Sequence, residues 1–354
     1  MPKKVEDVSV IICAYTEKRW DDLLIAVASV RQQTIQPREI IIVIDYNTAL
    51  LRRVQEHLVD VIAIENRHAK GAAGSRNSGV EIAQGTVVAF LDDDAIAEPH
   101  WMEQLLVPYD DPDVVGVGGK IDPFWMGKRP SWFPDEFTWI VGCTFRGMPL
   151  VTASVRNLIA ASMSMRRDIF TSFGGFRESS GWNQENRENR GKTAERFNFK
   201  RVLHYEGGEE AELCIRIAHQ SQGHMKFYYA PLALVKHHVP EQRARWRYFL
   251  WRCYYEGIGK AFLASLHGTK DGLSAERTYT FIALPQGVLH GLTDALFHGD
   301  LSGLARAGAI IAGLSATTAG YLVGRIVARP MHTEDGMKTE KDTYNAEEKY
   351  PVEV

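Results

Sequence analysis

Residues 87–94 read Val-Val-Ala-Phe-Leu-Asp-Asp-Asp, a short apolar run that ends in three consecutive carboxylates. Neighbouring like charges repel, so such a cluster at a strand end calls for a cation. Aspartates are hard oxygen ligands, suited to Mg2+ or Mn2+ that already carries phosphates. The chemistry implied is the holding of a metal-bound nucleoside diphosphate. Three aspartates in a row can also form a solvated turn, and their surroundings decide between the two.

Those surroundings alternate in period. Residues 8–14, 39–45, 59–64, 86–91 and 113–117 are short apolar, largely β-branched runs, which predicts buried strands. Residues 20–33, 48–58, 72–84 and 99–109 have helical spacing, the last with Pro at its start. Strand and helix in this alternation predict βαβ units and a mainly parallel sheet. Ligands bind such sheets at the carboxyl ends of the strands. Tyr15, Asp45 and the run Asp92, Asp93, Asp94 all fall there.

Composition narrows the class. The 354 residues are 45% hydrophobic and 24% charged, which suits a globular chain with a sizeable core. A net charge of −3 provides no global basic field for nucleic acid. The four cysteines (Cys13, Cys143, Cys214, Cys253) form no CxxC pair, so a zinc or disulfide framework is not expected. A reducing, cytoplasmic compartment is the simpler expectation. No apolar h-region precedes the first strand, so no secretory signal is expected.

Beyond residue 118 the pattern changes. Residues 119–158 are rich in Pro, Gly, Trp and Phe and predict a structured loop region across the sheet. Order is expected again over 159–176. Residues 177–208 are polar and glycine-bearing, as a functional lid would be. A helix is expected over 209–221 and short strands over 225–229 and 232–236. From Arg243 the spacing is helical, with Arg243, Arg245, Arg247 and Arg252 set among Trp246, Tyr248, Phe249 and Trp251. Such a helix can lie at a membrane interface. Residues 278–293 and 307–324 lack Asp, Glu, Lys and Arg and are near the minimum spanning length. The second carries Gly320-x-x-x-Gly324, a close-packing signal. These stretches fit a membrane hairpin, a soluble helical bundle or a homodimer interface. The expected organisation is a catalytic domain over 1–240, a helical region over 241–330 and a disordered tail over 331–354.

Several segments resemble a known family. Ser9-Val-Ile-Ile-Cys-Ala-Tyr15, Ala28-Ser-Val-Arg-Gln-Gln-Thr34 and Pro37-Arg-Glu-Ile-Ile-Ile-Val-Ile-Asp45 are similar to the opening of inverting family 2 glycosyltransferases. Gly74-Ser-Arg76-Asn77-Ser-Gly79, Phe90-Leu-Asp-Asp-Asp94, Gly174-Gly-Phe176 and Gly208-Glu-Glu-Ala-Glu-Leu213 with Arg216 continue the likeness in order. It spans residues 8–260 approximately. Each motif alone is weak; together they specify the family.

The resemblance implies a Rossmann-like α/β GT-A fold, to which the C-terminal helical region, membrane-associated or bundled as above, is an extension. It implies that Tyr15 stacks on the nucleotide base and that Asp45 accepts the uracil N3–H. The alternatives are core packing for Tyr15 and helix capping for Asp45. Arg76 would lie near the diphosphate. Asp94 would bind Mn2+ or Mg2+, with Asp92 as a further ligand and Asp92 or Asp93 reaching the ribose or sugar. His237 or His238 would supply a third ligand, as in some relatives. Glu210 occupies the position of the family's base, flanked by Glu209 and Glu212, whose charges would raise its proton affinity.

The chain departs from the family pattern at Thr16, Tyr46, Arg177 and Glu210, where Asn, an acidic residue, Asp and Asp are usual. These departures bear on the identity of the sugar. A narrower likeness lies in Asp122-Pro-Phe-Trp-Met-Gly-Lys-Arg-Pro-Ser-Trp-Phe-Pro-Asp-Glu-Phe-Thr-Trp139, Val141-Gly142, Arg146-Gly147-Met-Pro149 and Val155-Arg156-Asn157. These resemble archaeal glucuronosyltransferases that act on glucosyl-dolichyl phosphate. A UDP-hexuronate donor needs a cationic partner for its carboxylate, and Lys128, Arg129 and Arg156 are candidates.

The expectation is therefore a metal-dependent inverting glycosyltransferase at the cytoplasmic membrane face. It would move a sugar from a UDP-sugar to a polyprenyl- or dolichyl-phosphate-linked glycan. A soluble or polysaccharide acceptor, or a non-catalytic nucleotide-sugar-binding protein, are the alternatives. A nucleotidyltransferase would need a Gly-rich phosphate loop after the first strand, and Tyr15-Thr-Glu-Lys-Arg-Trp20 has no glycine.

Overall fold

The computed structural model describes residues 7–178, 208–272 and 278–327. The expected lid, apart from its ends, and the expected tail lie outside the described residues.

The first half follows the sequence pattern. Strand β1 (Val8–Ala14) leads to helix α1 (Trp20–Arg31), β2 (Glu39–Ile44) to α2 (Thr48–His57), and β3 (Ile62–Glu65) to α3 (Ala72–Ile82). β4 (Val87–Asp92) and β5 (Ala95–Ala97) precede α4 (Trp101–Leu106). Strands β3, β2, β1 and β4 lie side by side, all parallel. Their continuous apolar runs divide by alternation, because successive strand side chains point to opposite faces. Val10, Ile12, Ile42, Ile44 and Leu91 pack on Leu23, Val27, Leu50 and Trp101 of α1, α2 and α4. Ile11, Ile41, Val43 and Phe90 face Ala73 and Val80 of α3 on the other side.

The second half is not parallel throughout. Long β6 (Val114–Trp125) and short β7 (Ala153–Val155) are followed by β8 (Ser162–Arg166) and helix α5 (Asp168–Phe173). β8 inserts between β4 and β6 and runs antiparallel to both. A parallel return needs a crossover of a dozen or more residues, usually helical. The chain between β6 and β8 has no such helix: it holds a 3-10 turn, Asp135–Val141, and β7. Helix α6 (Glu209–Gln220) then leads into β9 (Lys226–Val239), one strand where two were expected. β9 pairs with β6 in parallel, with a register break between Gly119 and Lys120, so the Pro231 region bulges and its two halves read as separate strands.

Helix α7 (Trp246–Gly272, interrupted at Gly268), α8 (Leu284–Phe297) and α9 (Ser302–Val327) complete the described chain. They share a core with the loop region: Ile121, Phe133, Phe137 and Ile140 pack with Phe249, Leu284 and Ile310. Trp132 meets Trp246 edge-on, and Trp246 stacks on Phe249. Of the α7 aromatics expected at a lipid interface, Phe249 is thus spent inside the protein, whereas Trp246 and Trp251 stay 42% and 52% exposed. Among the described residues only Ser302–Ile326 is long and apolar enough to cross a membrane.

The expected close-packing signal in α9 works within the chain. A Cβ at Gly320 would sit 1.9 Å from the Tyr254 carbonyl oxygen, and one at Gly324 would lie 2.7 Å from Ala261 Cβ. Gly320→Leu is expected to separate α9 from α7 and to cost about 1–3 kcal/mol or more in a denaturant melt, as overpacking does. Gly308 meets nothing within 4 Å, so Gly308→Ala should be neutral or slightly stabilising. Equal midpoints for the two variants would show that the α7–α9 contact does not bear on stability.

Candidate active site

The acidic turn lies where β4 gives way to β5. Asp92 ends β4, and Asp93 and Asp94 form the turn. Pairing of β5 with β9 sets Ala95 opposite His237. A residue 143 positions downstream is thereby delivered to Asp94 (237 − 94). His237 Nε2 lies 3.1 Å from Asp94 Oδ1 and 3.9 Å from Asp92 Oδ2. One ligand atom from each of Asp92, Asp94 and His237 falls within 4.8 Å of the others, an arrangement that could hold a metal ion. Two carboxylates and an imidazole, with Asp92 on the open side, fit a divalent cation approached from the cleft.

Behind the imidazole, Nδ1 faces Cys143 Sγ at 3.9 Å, and Gly142 packs against the ring. His238 points elsewhere: its Nδ1 contacts Asp22 Oδ1 at 2.8 Å. Burial by itself favours neutral His237, but the hydrogen bonds and charges of Asp94 and Cys143 outweigh it and lift its pKa to about 10. Burial pushes Asp94 up, and His237 and Arg19 more than reverse this, bringing it to about 2. Without a metal the two form an ion pair.

Arg19, which the sequence pattern did not single out, completes this edge. Its Nη1 lies 2.8 Å from Asp93 Oδ1 and 3.0 Å from Asp94 Oδ2. Asp93 is buried; burial and the charge of Asp94 raise its pKa to about 7 despite Arg19. The only signal in the sequence was a cation in the loop that follows β1.

At the other end of the edge, Tyr15 is 54% exposed, which rules out core packing. Asp45 is buried, and its two oxygens accept from Asn66 Nδ2 at 2.8 Å and from the Gly71 N–H at 3.1 Å. Capping of α2 falls to Asn47, whose Oδ1 accepts from the Leu50 N–H, so Asp45 is not the helix cap. Asn66 is held by Ser78, whose hydroxyl donates to Asn66 Oδ1 at 2.9 Å. Neither Asn66 nor Ser78 was legible as a site residue, because their link to Asp45 is tertiary.

Arg76 ties the acidic turn to α6. It is buried, with Nη1 2.9 Å from Glu209 Oε1 and Nη2 4.0 Å from Asp92 Oδ1, so it is not a surface ion pair. Gly208, at φ 85°, turns the chain into α6, a backbone conformation that suits glycine. Glu210 follows Glu209 in the first turn. Its carboxylate accepts from its own backbone N–H and is in no ion pair among the described residues. Burial and the charge of Glu209 raise its pKa to about 7, against the pull of Arg76. Glu212, expected to add to this, has its charge engaged elsewhere: Arg216 Nε lies 3.1 Å away and Arg177 Nε 3.3 Å away.

The three basic candidates for a donor carboxylate separate. Lys128 is exposed. Arg129 donates to the Phe133 carbonyl and pairs with Asp135. It lines a cavity of about 360 Å³ with Glu136, Arg146, His290 and Arg306, between the loop region and α8–α9. Arg156 donates to Asn157 Oδ1, and its charge is felt at Cys214 of α6, as is that of Glu210.

The sequence profile of glycosyl transferase family 2 matches residues 9–174. A glucosyl-dolichyl phosphate glucuronosyltransferase from Haloferax volcanii is 35% identical over 264 residues, covering 73% of this chain and 78% of that protein. The chain belongs to glycosyl transferase family 2. This glycosyltransferase is also 41% identical over 92 residues to a UDP-Glc:alpha-D-GlcNAc-diphosphoundecaprenol beta-1,3-glucosyltransferase of Escherichia coli, covering 25% of this chain and 36% of that protein. A pre-mycofactocin glycosyltransferase of Mycobacterium tuberculosis is 26% identical over 212 residues, covering 60% of this chain and 38% of that protein. The mannosyltransferase PcManGT of Pyrobaculum calidifontis, solved with GDP-Man and Mn2+, superposes with a TM-score of 0.52 at 15% identity. That superposition covers 89% of this chain and 88% of that one, and the glycosyltransferase has the GT-A fold.

Proposed function

We propose that this glycosyltransferase moves glucuronic acid from UDP-glucuronate to the saccharide of a polyprenyl- or dolichyl-phosphate-linked acceptor, with inversion at the anomeric carbon. The observation that carries the reading is the single guanidinium of Arg76. It touches Glu209, the neighbour of Glu210, and reaches Asp92 of the metal group. The Glu210 carboxylate, in no ion pair among the described residues, and a cation site thus stand across one side chain from each other.

In this mechanism the acceptor hydroxyl attacks the anomeric carbon, the bond from that carbon to the diphosphate oxygen breaks, and Glu210 takes the hydroxyl proton. Arg76 holds Glu209 and faces the negative charge that develops on the departing diphosphate. Tyr15 stacks on the base and Asp45 accepts from it. Asp92, Asp94 and His237 would hold the metal, which when bound supplies charge stabilisation for the leaving nucleoside diphosphate. An imidazole ligand suits a transition ion better than Mg2+, which favours Mn2+. Arg156, on the α6 side, is the preferred partner for the donor carboxylate.

The activities for which the Haloferax and Escherichia relatives are named support the lipid-linked acceptor. Phe281, Leu289, Leu292, Leu296 and Phe297 around α8 leave an apolar face open, which supports contact with a membrane surface. Four free cysteines fit the cytoplasmic side. The same face would also fit a second copy of the chain, and flotation with liposomes against sedimentation in detergent separates the two.

The test is UDP release from a panel of UDP- and GDP-sugars with Mn2+, with and without a short polyprenyl phosphate-linked glucose. Acceptor-stimulated release from UDP-glucuronate is the expected result. Release from another donor removes the glucuronosyl assignment. Stimulation only by a polysaccharide removes the lipid-linked one.

A further inference from the structure

Arg19 touches both halves of the edge just described, and no role in the reaction has yet been derived for it. It closes a 3-10 turn, Glu17–Arg19, whose start is capped by Thr16 Oγ1 accepting from the Lys18 N–H. The turn fixes Arg19 at the carboxyl end of β1. Its guanidinium carbon lies 5.5 Å from the Tyr15 ring centroid, while Nη1 reaches Asp93 and Asp94.

The contact with the aspartates is unlike that of a purely structural pair. An arginine that serves to satisfy a carboxylate does so best with two parallel bonds. Here one nitrogen is shared between two carboxylates, and Asp93 Oδ2 is buried without a hydrogen-bond partner among the described residues. Among the described residues Nη2 and Nε of Arg19 meet no acceptor. The side chain is 23% exposed, so part of it is open to solvent.

We propose that Arg19 is a further donor-binding residue, whose free N–H groups grip the α-phosphate of the nucleotide as it passes from Tyr15 to the acidic turn. The inference rests on the reading of Tyr15 as the base platform and of Asp94 as the diphosphate end. A nucleoside diphosphate that spans these two points crosses Arg19. The aspartates aim the guanidinium, and the fork they leave free matches two phosphate oxygens. No metal is needed for this contact.

The test is binding of uridine and UMP in EDTA, followed by NMR titration of the wild-type protein, Arg19→Gln and Arg19→Lys. Wild type is expected to bind UMP about tenfold tighter than uridine, the scale of one charge-assisted phosphate contact. Arg19→Gln should erase that gain and leave uridine affinity unchanged. Arg19→Lys should keep part of it, because a point charge replaces the fork. Under turnover, Arg19→Lys should raise the donor KM and leave the acceptor KM alone. If uridine and UMP weaken together in a variant, Arg19 merely props up Tyr15 or the turn, and the proposal fails. It fails equally if the UMP gain survives in Arg19→Gln. If Arg19→Gln does not fold by circular dichroism, Arg19→Lys decides: UMP binding as tight as wild type overturns the proposal. Wild type that binds neither nucleoside nor nucleotide would sink the base site at Tyr15 itself, a separate result from loss of the Arg19 contribution alone.

Discussion

Glu210→Gln is expected to lower kcat by about 10²–10⁴-fold, the range general bases supply, while UDP affinity stays within a few-fold of wild type. The glutamine keeps the shape of the side chain and cannot take a proton. Burial and the neighbouring charge of Glu209 bring the Glu210 pKa to about 7. A base must be ionised to act, so kcat should rise with pH and level off above about 7. Glu209→Gln should shift this limb to lower pH, since it removes a like charge. The same raised pKa makes a stability statement. Below the unfolded value of 4.5 the carboxyl is neutral in both states and contributes nothing. Between 4.5 and about 7 the unfolded chain loses the proton first, so ionisation increasingly favours unfolding. Glu210→Gln should therefore melt at a higher temperature than wild type at pH 8 and at the same temperature at pH 4. An active variant, or one destabilised at pH 8, would move the base elsewhere.

His237→Ala is expected to weaken Mn2+ binding by a factor on the order of 10² or more, beyond what loss of an outer partner costs. His238→Ala should leave it unchanged, because His238 faces Asp22 rather than the acidic turn. Electron paramagnetic resonance of free Mn2+, without nucleotide, reads both. Metal-free His237 carries a proton, its pKa being about 10 in contact with Asp94. A metal ligand must be neutral, so binding at pH 7–8 should release about one proton. Affinity should then rise about tenfold per pH unit across this range. Calorimetry in two buffers of different ionisation enthalpy counts the proton directly. A pH-independent affinity with no proton release would remove His237 from the ligand set. Asp94→Asn should resemble His237→Ala, since either change breaks the same group.

The parallel half of the sheet and the acidic turn were legible because they are local. The continuous apolar runs of 8–14 and 39–45, glycine-bearing 72–84 and the run Asp92–Asp94 each depend on neighbours in sequence, and the chain need only fold as its local pattern dictates. Glu210 was legible through its motif, and its exposure to Glu209 follows from adjacency. What the sequence did not contain was the pairing of distant segments. Residues 225–229 and 232–236 read as two strands because a bulge near Pro231 interrupts their pattern, yet they fall in one strand, Lys226–Val239, in register with β5. That register places His237 rather than His238 against Asp94, a choice of strand face that one residue reverses. The antiparallel insertion of β8, the neutralisation of Glu212 by Arg216 and the approach of Arg19 to the acidic turn are likewise contacts of packing. Local periods determined which elements form and which carboxylates meet at the sheet edge. Tertiary structure decided which histidine faces them, which arginines answer them, and which glutamate is left unpaired, because strand order and register bring together residues that sequence spacing cannot relate.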